Sequence, residues 1–386
     1  MSINSSAQSP LTVLLDGDRL APQQARLGAA LAQRGLRVVV LDAPKIARQI
    51  RDEFGQTCLE LSSLPRWLGV LRARHLRAAV RKLGVDIVHL NYISPNHTLW
   101  SADPKGPPYI ATAWGSDLNR EVFQMSAANE ALIDAVLAHA SAVTADSLPL
   151  LQRAEKRMGL NTSPRKIVLW SADLSQFDRN LVGEKAAHFR RDLGIAADQK
   201  VLLSPRQPQA HYHIDRLVAA FAASKWAQVG VLVIKLHGKS NEEAYVRDLV
   251  RQAEALGIGQ RLILAPRVAY DDLAALYAMA DAAVSLPEAD GVPSTFLELM
   301  ALEVPLIATD LPGYAGVLQQ GVNATLVPVA DETALVAALN AVLDEPDATT
   351  QRRTAAKTWV LENADWRKSI DAWVALYAQA LERPKP

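Results

Sequence analysis

Short apolar runs rich in β-branched residues alternate with helical patterns along almost the whole chain. In the first half the runs are LTVLLD (11–16), RVVVLD (37–42), DIVHL (86–90), PYIATA (108–113), AVTA (142–145) and KIVLW (166–170). In the second half they are KVLLS (200–204), VLVIKL (231–236), RLILA (261–265), AAVSL (282–286), PLIAT (305–309) and ATLVP (324–328). Strands that are apolar throughout are buried on both faces, so the pattern predicts two helix-covered parallel sheets, an α/β protein with two Rossmann-like lobes.

The length of 386 residues also favours two domains, because one hydrophobic core rarely grows that large. The apolar periodicity lapses near residues 177–185, where we place the join between the lobes. The predicted lobes are therefore 1–180 and 181–365. Hydrophobic residues at 49% and charged residues at 21% are typical of a globular protein rather than a disordered one.

Composition excludes several other classes. One cysteine, Cys58, rules out an internal disulfide framework and a cysteine-based zinc site. No apolar run reaches the roughly 20 residues of a membrane-spanning helix, and the first ten residues lack the pattern of a signal peptide. These features predict a cytoplasmic protein. The net charge of zero hides an asymmetry: residues 1–180 carry 21 Lys and Arg against 16 Asp and Glu, so the first lobe is basic and the second acidic.

In doubly wound sheets, ligands bind beyond the carboxyl ends of the strands, so the residues that follow each strand are the first candidates for a binding site. Neither lobe has the G-x-G-x-x-G loop of a dinucleotide site or a P-loop, which argues against redox cofactors and P-loop ATP chemistry. Beyond AAVSL, Asp290 stands in a loop and Glu298 one turn inside the next predicted helix, which we expect Ser294 or Thr295 to cap. The amides at such a helix start can bind phosphate or sugar oxygens. Spacing alone favours the simpler interpretation, in which Asp290 is a turn residue before Gly291 and Glu298 a solvent-facing helix residue.

Several segments, in this order, resemble a known enzyme family over almost the whole chain. They are TAWGSDL (112–118), SAVTADSLPLLQRAEKRMG (141–159), KIVLWSADLSQF (166–177), SPRQPQAHYHIDRLVAAF (204–221), DGVPSTFLELMALEVPLIATDLPG (290–313) and GVNATLVPVAD (321–331). They are similar to motifs of the retaining glycosyltransferases of family four, the group 1 glycosyltransferases. In that family two glutamates, with seven residues between them, stand in the positions that Asp290 and Glu298 occupy here.

The resemblance implies the GT-B fold, with two Rossmann-like lobes facing a central cleft and a final helix, about 366–386, that packs back on the first lobe. It implies no metal and no cofactor, since the nucleotide-sugar donor, UDP-sugar in preference to GDP-sugar, is a substrate. The implied catalytic residues are Arg206 for the departing diphosphate, Asp290 for the sugar hydroxyls and Glu298 for the ribose. The implied donor-binding residues are Arg206, Tyr212, Gly238, Asp290, Gly291, Val292, Pro293, Ser294 and Glu298, and the acceptor-binding residues are Asn91, His97, Trp114 and Asp117.

Three departures from the family pattern concern the donor. The family has a lysine shortly after the arginine matched by Arg206, whereas this chain has His211, Tyr212 and His213 in that neighbourhood, and Lys235 and Lys239 are the candidates to replace it. Trp114 stands where the family often has histidine. Asp290 is one methylene shorter than the usual glutamate.

The predicted function is therefore transfer of a hexose-type sugar, with retention of configuration, to a glycan, lipid-linked or small-molecule acceptor. Two alternatives stay open. A nucleotide-sugar epimerase of the same fold would convert its substrate without an acceptor, and a non-catalytic module would bind nucleotide-sugar without releasing nucleotide.

Two segments of the first lobe carry further polar residues. HLNYISPNHTLW (89–100) follows a strand and directs His89, Asn91, Asn96 and His97 toward the predicted cleft, unless it is a loop that satisfies its own backbone. Residues 66–84 contain six Lys and Arg and no acidic residue, with Leu68, Leu71, Leu76, Val80 and Leu83 at helical spacing. This segment is readable as an ordinary solvated helix or as a basic amphipathic helix on an anionic membrane, which would place the protein on the inner face of the cell membrane. No motif that reads bases supports a nucleic-acid partner.

Overall fold

The computed structural model describes residues 10–17, 22–118, 124–238 and 242–382, the side chains of Pro22 and Arg66 excepted. The chain divides into two compact units: unit 1 combines Met1–Val168 with Lys368–Pro386, and unit 2 is Leu169–Arg367. The division comes earlier than the boundary predicted near residue 180. The lapse in periodicity that suggested the later boundary is a surface helix of unit 2, Arg179–Asp192, in which Val182 and Ala186 are the buried positions.

Unit 1 is built on a parallel sheet flanked by helices. Its strands are β1 (Thr12–Gly17), β2 (Arg37–Leu41), β3 (Leu59–Leu61), β4 (Ile87–Asn91), β5 (Tyr109–Thr112), β6 (Ala142–Ala145) and β7 (Arg165–Ile167). Its helices are α1 (Pro22–Gln33), α2 (Pro44–Asp52), α3 (Gly69–Leu83), α4 (Thr98–Ser101), α5 (Ala127–Ala138), α6 (Leu148–Arg157) and most of α15 (Trp366–Glu382).

The strand order in this seven-stranded sheet is β3-β2-β1-β4-β5-β6-β7. The chain builds outward from β1 to β3, then crosses back to place β4 on the other side of β1. All five residues of β4 are buried, as expected for a central strand covered on both faces. The β1–β4 boundary is the point where the order reverses, which is where open α/β sheets bind ligands.

Helix α15 packs on this sheet through a buried polar chain. The Tyr377 hydroxyl lies 2.6 Å from Nδ1 of His89, and Nε2 of His89 lies 2.6 Å from the hydroxyl of Thr112. That hydroxyl is 2.7 Å from the hydroxyl of Thr144. Burial lowers the pKa of His89 to about 3, so the ring is neutral. His89 is therefore a core residue of unit 1, and the expectation that it faces a ligand is wrong.

Unit 2 repeats the architecture. Its strands are β8 (Lys200–Ser204), β9 (Gly230–Lys235), β10 (Leu262–Ala265), β11 (Ala282–Ser285), β12 (Leu306–Thr309) and β13 (Thr325–Val327). Its helices are α7 (Arg179–Asp192), α8 (Ile214–Ala223), α9 (Trp226–Val229), α10 (Glu243–Ala255), α11 (Tyr270–Ala278), α12 (Ser294–Ala301), α13 (Glu332–Asp344) and α14 (Pro346–Asn363).

The six-stranded parallel sheet of unit 2 has the order β10-β9-β8-β11-β12-β13, so its reversal lies between β8 and β11. Alternate residues of β8 enter opposite cores: Val201 and Leu203 join one buried cluster, and Leu202 joins the other. Both faces are thus covered, which is why the strands are apolar throughout. Within the described ranges, no helix combines the length and the apolar character needed to cross a membrane.

Candidate active site

A buried ion pair marks the carboxyl ends of β8 and β11. Arg206 lies two residues beyond β8, and its Nη2 is 2.8 Å from Oδ2 of Asp290, which lies in the loop after β11. The same Nη2 donates a 2.7 Å hydrogen bond to the Tyr212 hydroxyl. The predicted residues Arg206, Tyr212 and Asp290 therefore meet at the reversal point of the unit 2 sheet.

The electrostatics of this pair follow from burial. Burial raises the pKa of Asp290, an effect that Arg206 and the Gly291 N–H partly oppose. Burial also opposes the charge on Arg206, but the Asp290 carboxylate together with Tyr212 and Tyr314 outweighs that effect and raises the pKa of the guanidinium. Arg206 is 9% exposed, so it holds a positive charge with little water around it.

Glu298 lies inside α12 and is 3% exposed. It is close enough to act on the pKa values of Tyr277 and Lys235, and Arg206 acts on the same two residues. Glu298 is therefore a buried member of the Arg206 cluster and not a solvent-facing helix residue.

The start of α12 differs from the predicted cap. The N-cap is Pro293, and its side chain provides no capping hydrogen bond, so Ser294 and Thr295 are the first helical residues. The expectation that one of their hydroxyls caps the helix is wrong because Pro293 fixes an extended backbone one residue earlier, with φ −72° and ψ 139°. Gly291 and Val292 are buried in the same loop, whereas Pro293 and Ser294 are half-buried.

Lys235 brings a second cation to the cluster from the neighbouring strand. It ends β9, and the register that pairs Ser204 with Ile234 puts it level with the start of the Arg206 loop. Its Nζ lies 2.9 Å from Nε2 of His237. Burial lowers the pKa of Lys235 to about 8, although Glu298 and Glu242 favour the charged form. Of the two lysines considered from the sequence, Lys239 lies outside the described residues.

The segment after β12 holds the Asp290 loop in place, a role that motif reading missed. The Thr309 hydroxyl donates a 2.7 Å hydrogen bond to the carbonyl oxygen of Pro287. A Cβ at Gly313 would lie 2.3 Å from the carbonyl oxygen of Asp290, far inside van der Waals contact. Only glycine permits this approach. Gly313 is the glycine of the DLPG sequence (310–313). That sequence does not reveal the close approach of Gly313 to Asp290, which is seen only in the three-dimensional structure.

Other predicted donor residues lie at the edge of the cluster. Tyr212 ends a short helical turn, and its ring centroid is 4.3 Å from Cζ of Arg206. Burial, together with Arg206 and His213, lowers the pKa of His211, which keeps that imidazole neutral. Gly238 has φ 69° just beyond β9, a left-handed conformation that glycine adopts without strain.

In unit 1 the predicted residue Asn91 lies at the corresponding reversal point. It ends β4 beside Gly17 at the end of β1, and it is fully buried. Among the described residues, neither polar atom of its side-chain amide has a hydrogen-bond partner, and the same holds for the buried amide of Gln24. A Cβ at Gly17 would meet the carbonyl oxygen and Cβ of Asn91 and the side-chain oxygen of Gln24, so both residues adjoin the same backbone.

Asp117 joins the loops that follow β4 and β5. Its carboxylate accepts hydrogen bonds of 2.9 Å from the Ile93 N–H, 3.1 Å from the Trp114 N–H and 2.9 Å from the Gly115 N–H. Burial raises the pKa of Asp117 to about 6, against the effect of these donors. The carboxylate thus positions the loops, and the Trp114 ring meets Tyr92 edge-on, with 6.3 Å between centroids.

His97 is also a braced residue. Its Nδ1 accepts a 3.2 Å hydrogen bond from the Ser94 N–H, and its Nε2 lies 3.7 Å from Oδ1 of Asp16. Burial acts to raise the pKa of Asp16, but His97, the Trp100 indole N–H and Arg72 together outweigh that effect and hold the pKa below its ordinary value. His97 therefore links the loop after β4 to Asp16 at the carboxyl end of β1.

Comparison with known proteins assigns both units to the same kind of enzyme. Residues 186–359 match the family model described as Glycosyl transferases group 1, and residues 21–147 match the one described as Glycosyl transferase 4-like. An uncharacterized glycosyltransferase of Methanocaldococcus jannaschii is 27% identical over 209 residues, which cover 54% of this chain and 52% of that relative. The D-inositol 3-phosphate glycosyltransferase of Xylanimonas cellulosilytica is 24% identical over 344 residues, 84% of this chain and 80% of that protein.

The chain thus spans about half the length of the first relative and most of the second. Among solved structures, Anabaena HepE in complex with UDP-glucose is similar with a TM-score of 0.79 at 17% identity, over 94% of this chain and 98% of that chain. At this low sequence identity, the similarity to the Anabaena structure is a similarity of fold alone. The chain belongs to the group 1, family-four-like glycosyltransferases, and its two Rossmann-like units are those of the GT-B fold.

Proposed function

We propose that the protein transfers a hexose-type sugar from a nucleotide-sugar, UDP-sugar in preference to GDP-sugar, to a hydroxyl acceptor with retention of configuration. The observation that carries the proposal is the buried Arg206–Asp290 pair, together with Glu298 and Lys235, at the reversal point of the unit 2 sheet. Two cations and two carboxylates at such an edge match a donor that presents a diphosphate and two separate sets of hydroxyls.

In this proposal Arg206 stabilises the charge that develops on the diphosphate as the sugar leaves. A buried guanidinium does so strongly because little water screens it. Lys235 supplies the second positive charge in place of the lysine that the family has after the arginine. Asp290 and the amides of residues 291–294 bind the sugar hydroxyls, and Glu298 accepts hydrogen bonds from the ribose.

Retention needs no side-chain base in this scheme. The departing phosphate oxygen accepts the proton of the attacking hydroxyl on the same face of the sugar. The hydroxyl oxygen forms a bond to the anomeric carbon, and the phosphate leaves with the bonding electrons. Positioning and charge stabilisation, rather than a dedicated base, then supply the acceleration.

The acceptor is proposed to be polyhydroxylated, whether glycan, lipid-linked or small molecule. The buried amides of Asn91 and Gln24 favour this, because unmet amide hydrogen bonds are costly and hydroxyl groups both donate and accept. The name of the Xylanimonas relative, which specifies an inositol phosphate, points to the same chemistry.

The preference for UDP follows the UDP-glucose bound by the Anabaena neighbour. The roles of His97, Trp114 and Asp117 toward an acceptor stay predictions, since Asp117 and His97 also brace loops.

The test is an NMR assay with UDP-sugars and a set of polyol acceptors. The proposal expects acceptor-dependent release of nucleotide and a product with the anomeric configuration of the donor. A product of opposite configuration would refute retention. Conversion of the nucleotide-sugar without acceptor would identify an epimerase, and binding without release under every condition would identify a non-catalytic module.

A further inference from the structure

Helix α3 and the turn before it expose three large apolar side chains. Trp67, in the turn Arg66–Leu68, is 83% exposed, and Val70 and Leu71 in the first turn of α3 are 69% and 56% exposed. These three residues, hereafter the apolar tip, adjoin one another in the chain. Exposed apolar residues are ordinary when scattered singly, but a cluster that includes tryptophan marks an interaction surface.

The apolar face predicted for this segment is not the exposed one. Leu76 and Val80 are 0% and 2% exposed and pack in the core of unit 1. Helical spacing places residues 71, 74, 78, 81 and 82 on the opposite face of the helix. The three side chains of the apolar tip therefore do not pack in the core of unit 1.

Basic side chains continue the same exposed face. Arg74, Arg81 and Lys82, hereafter the basic stripe, are exposed. The other arginines with described side chains are engaged within unit 1: Arg72 lies 3.4 Å from Asp42, and Arg77 lies 3.1 Å from Asp103.

The charge of the surface is positive throughout. No acidic residue occurs between Leu61 and Val85. Among the described residues, Asp42 and Asp103 approach α3 from other elements and are already paired with Arg72 and Arg77, and buried Asp16 also interacts with Arg72. A partner that fits must therefore offer an apolar layer beside many negative charges.

We propose that the apolar tip and the basic stripe form a docking surface for an anionic lipid bilayer. The tip inserts at the boundary between head groups and acyl chains, where the amphipathic indole of tryptophan is favoured. The stripe lies on the lipid phosphates, whose negative potential attracts lysine and arginine. The surface lies entirely in unit 1 and does not depend on the donor site.

The test measures binding of the full-length protein to vesicles by cosedimentation. Vesicles of equal parts phosphatidylcholine and phosphatidylglycerol are compared with pure phosphatidylcholine. The wild type is expected to bind the anionic vesicles preferentially and to be released by added salt. The double variant Trp67→Ser, Leu71→Ser is expected to lower the partition coefficient by about tenfold or more. The triple variant Arg74→Gln, Arg81→Gln, Lys82→Gln is expected to lower it by about 100-fold.

Control variants change exposed leucines and exposed basic residues elsewhere. Leu160→Ser with Leu181→Ser alters leucines that are 100% and 68% exposed, and Lys156→Gln with Arg247→Gln and Arg251→Gln removes exposed positive charges. Both control proteins are expected to bind like wild type. Far-UV circular dichroism and the thermal shift produced by UDP-sugar show that each variant is folded with an intact donor site.

Three results would overturn the proposal. The first is a wild type that does not bind anionic vesicles, and the second is a loss of binding no larger in the tip and stripe variants than in the controls. The third is a wild-type dimer that the tip variant converts to monomer, which would make a second copy of the chain the occupant. Failure of vesicle binding with an intact donor shift would leave the proposed transfer untouched.

Discussion

The buried charge of Arg206 is the feature at residue scale on which the proposed transfer depends most. Arg206→Ala removes a guanidinium that contacts both Asp290 and Tyr212, and it leaves Asp290 without its counter-ion. We expect kcat to fall about 10²–10³-fold, because the lost stabilisation concerns charge that grows in the transition state. Donor affinity should fall much less.

Steady-state kinetics with varied donor check this expectation. Arg206→Lys is the informative companion variant, since an ammonium keeps the charge but lacks the planar fork that reaches two partners. Equal losses in kcat and in donor affinity would contradict a transition-state role and indicate uniform binding.

Lys235 makes a separate prediction about pH. Its pKa lies near 8, so its charge is present below that pH and is lost as the pH rises through 8. We expect kcat/KM for the donor to fall over the same range in the wild type, because this ratio reports the free enzyme. Lys235→Arg should remove the fall, since arginine stays charged, and Lys235→Gln should be low and flat. A fall near pH 8 that persists in Lys235→Arg would rule out Lys235 as its cause.

Some of these residues were predictable and others were not. Arg206, Asp290 and Glu298 each follow or adjoin an apolar run, so their presence at one sheet edge follows from strand order. Placing Lys235 level with the Arg206 loop needed the register of β9 against β8, which no local pattern encodes, and Lys239 lies outside the described residues. His89 was misassigned because its partner, Tyr377, lies 288 residues away in the chain.

At the scale of elements, the loop between β11 and α12 is shaped by the segment after β12. Gly313→Ala places a methyl group 2.3 Å from the Asp290 carbonyl, so the Asp290–Gly291 peptide must move. We expect at least about a tenfold loss in kcat/KM, because small displacements of positioning groups are costly. Gly183→Ala in α7 is the control, since its added methyl would lie in open space.

The control should be active and slightly more stable, because alanine favours a helix interior over glycine by up to about 1 kcal/mol. Kinetics and urea unfolding of both variants provide the comparison. An active, wild-type-like Gly313→Ala would show that the close approach does not fix the loop.

The strands of both sheets were largely predictable from continuous apolar runs, since burial on both faces leaves a direct trace in the sequence. Strand β3 was missed because Leu59–Leu61 is short and lies at the sheet edge, where one of its three residues is buried. The predicted start of α12 was wrong by one residue, because the proline at the N-cap has no hydroxyl or carboxylate that would mark it as a cap in the sequence.

At the scale of the whole molecule, the chain returns to its first unit at its end. Tyr377 in α15 meets His89 in the middle of the unit 1 sheet, and both are fully buried. Tyr377→Phe removes one hydroxyl and leaves Nδ1 of His89 without this partner. We expect a loss of about 1–3 kcal/mol in the free energy of unfolding, measured in urea, with donor binding unchanged. Tyr212→Phe, which removes a hydroxyl from the donor cluster instead, should weaken donor binding and leave the free energy of unfolding unchanged. Unchanged stability in Tyr377→Phe would mean that the buried chain contributes little.

The central claim is that unit 2 binds a nucleotide-sugar through Glu298 and the Arg206 cluster, and donor-induced thermal shift tests it most directly. Wild type, Glu298→Gln and the control Glu243→Gln, which alters an exposed glutamate of α10, are compared with UDP-, GDP- and ADP-sugars. The account predicts a rise in Tm with UDP-sugars for wild type and control, and a rise largely lost in Glu298→Gln. No rise with any nucleotide-sugar, or an equal rise in Glu298→Gln, would contradict it.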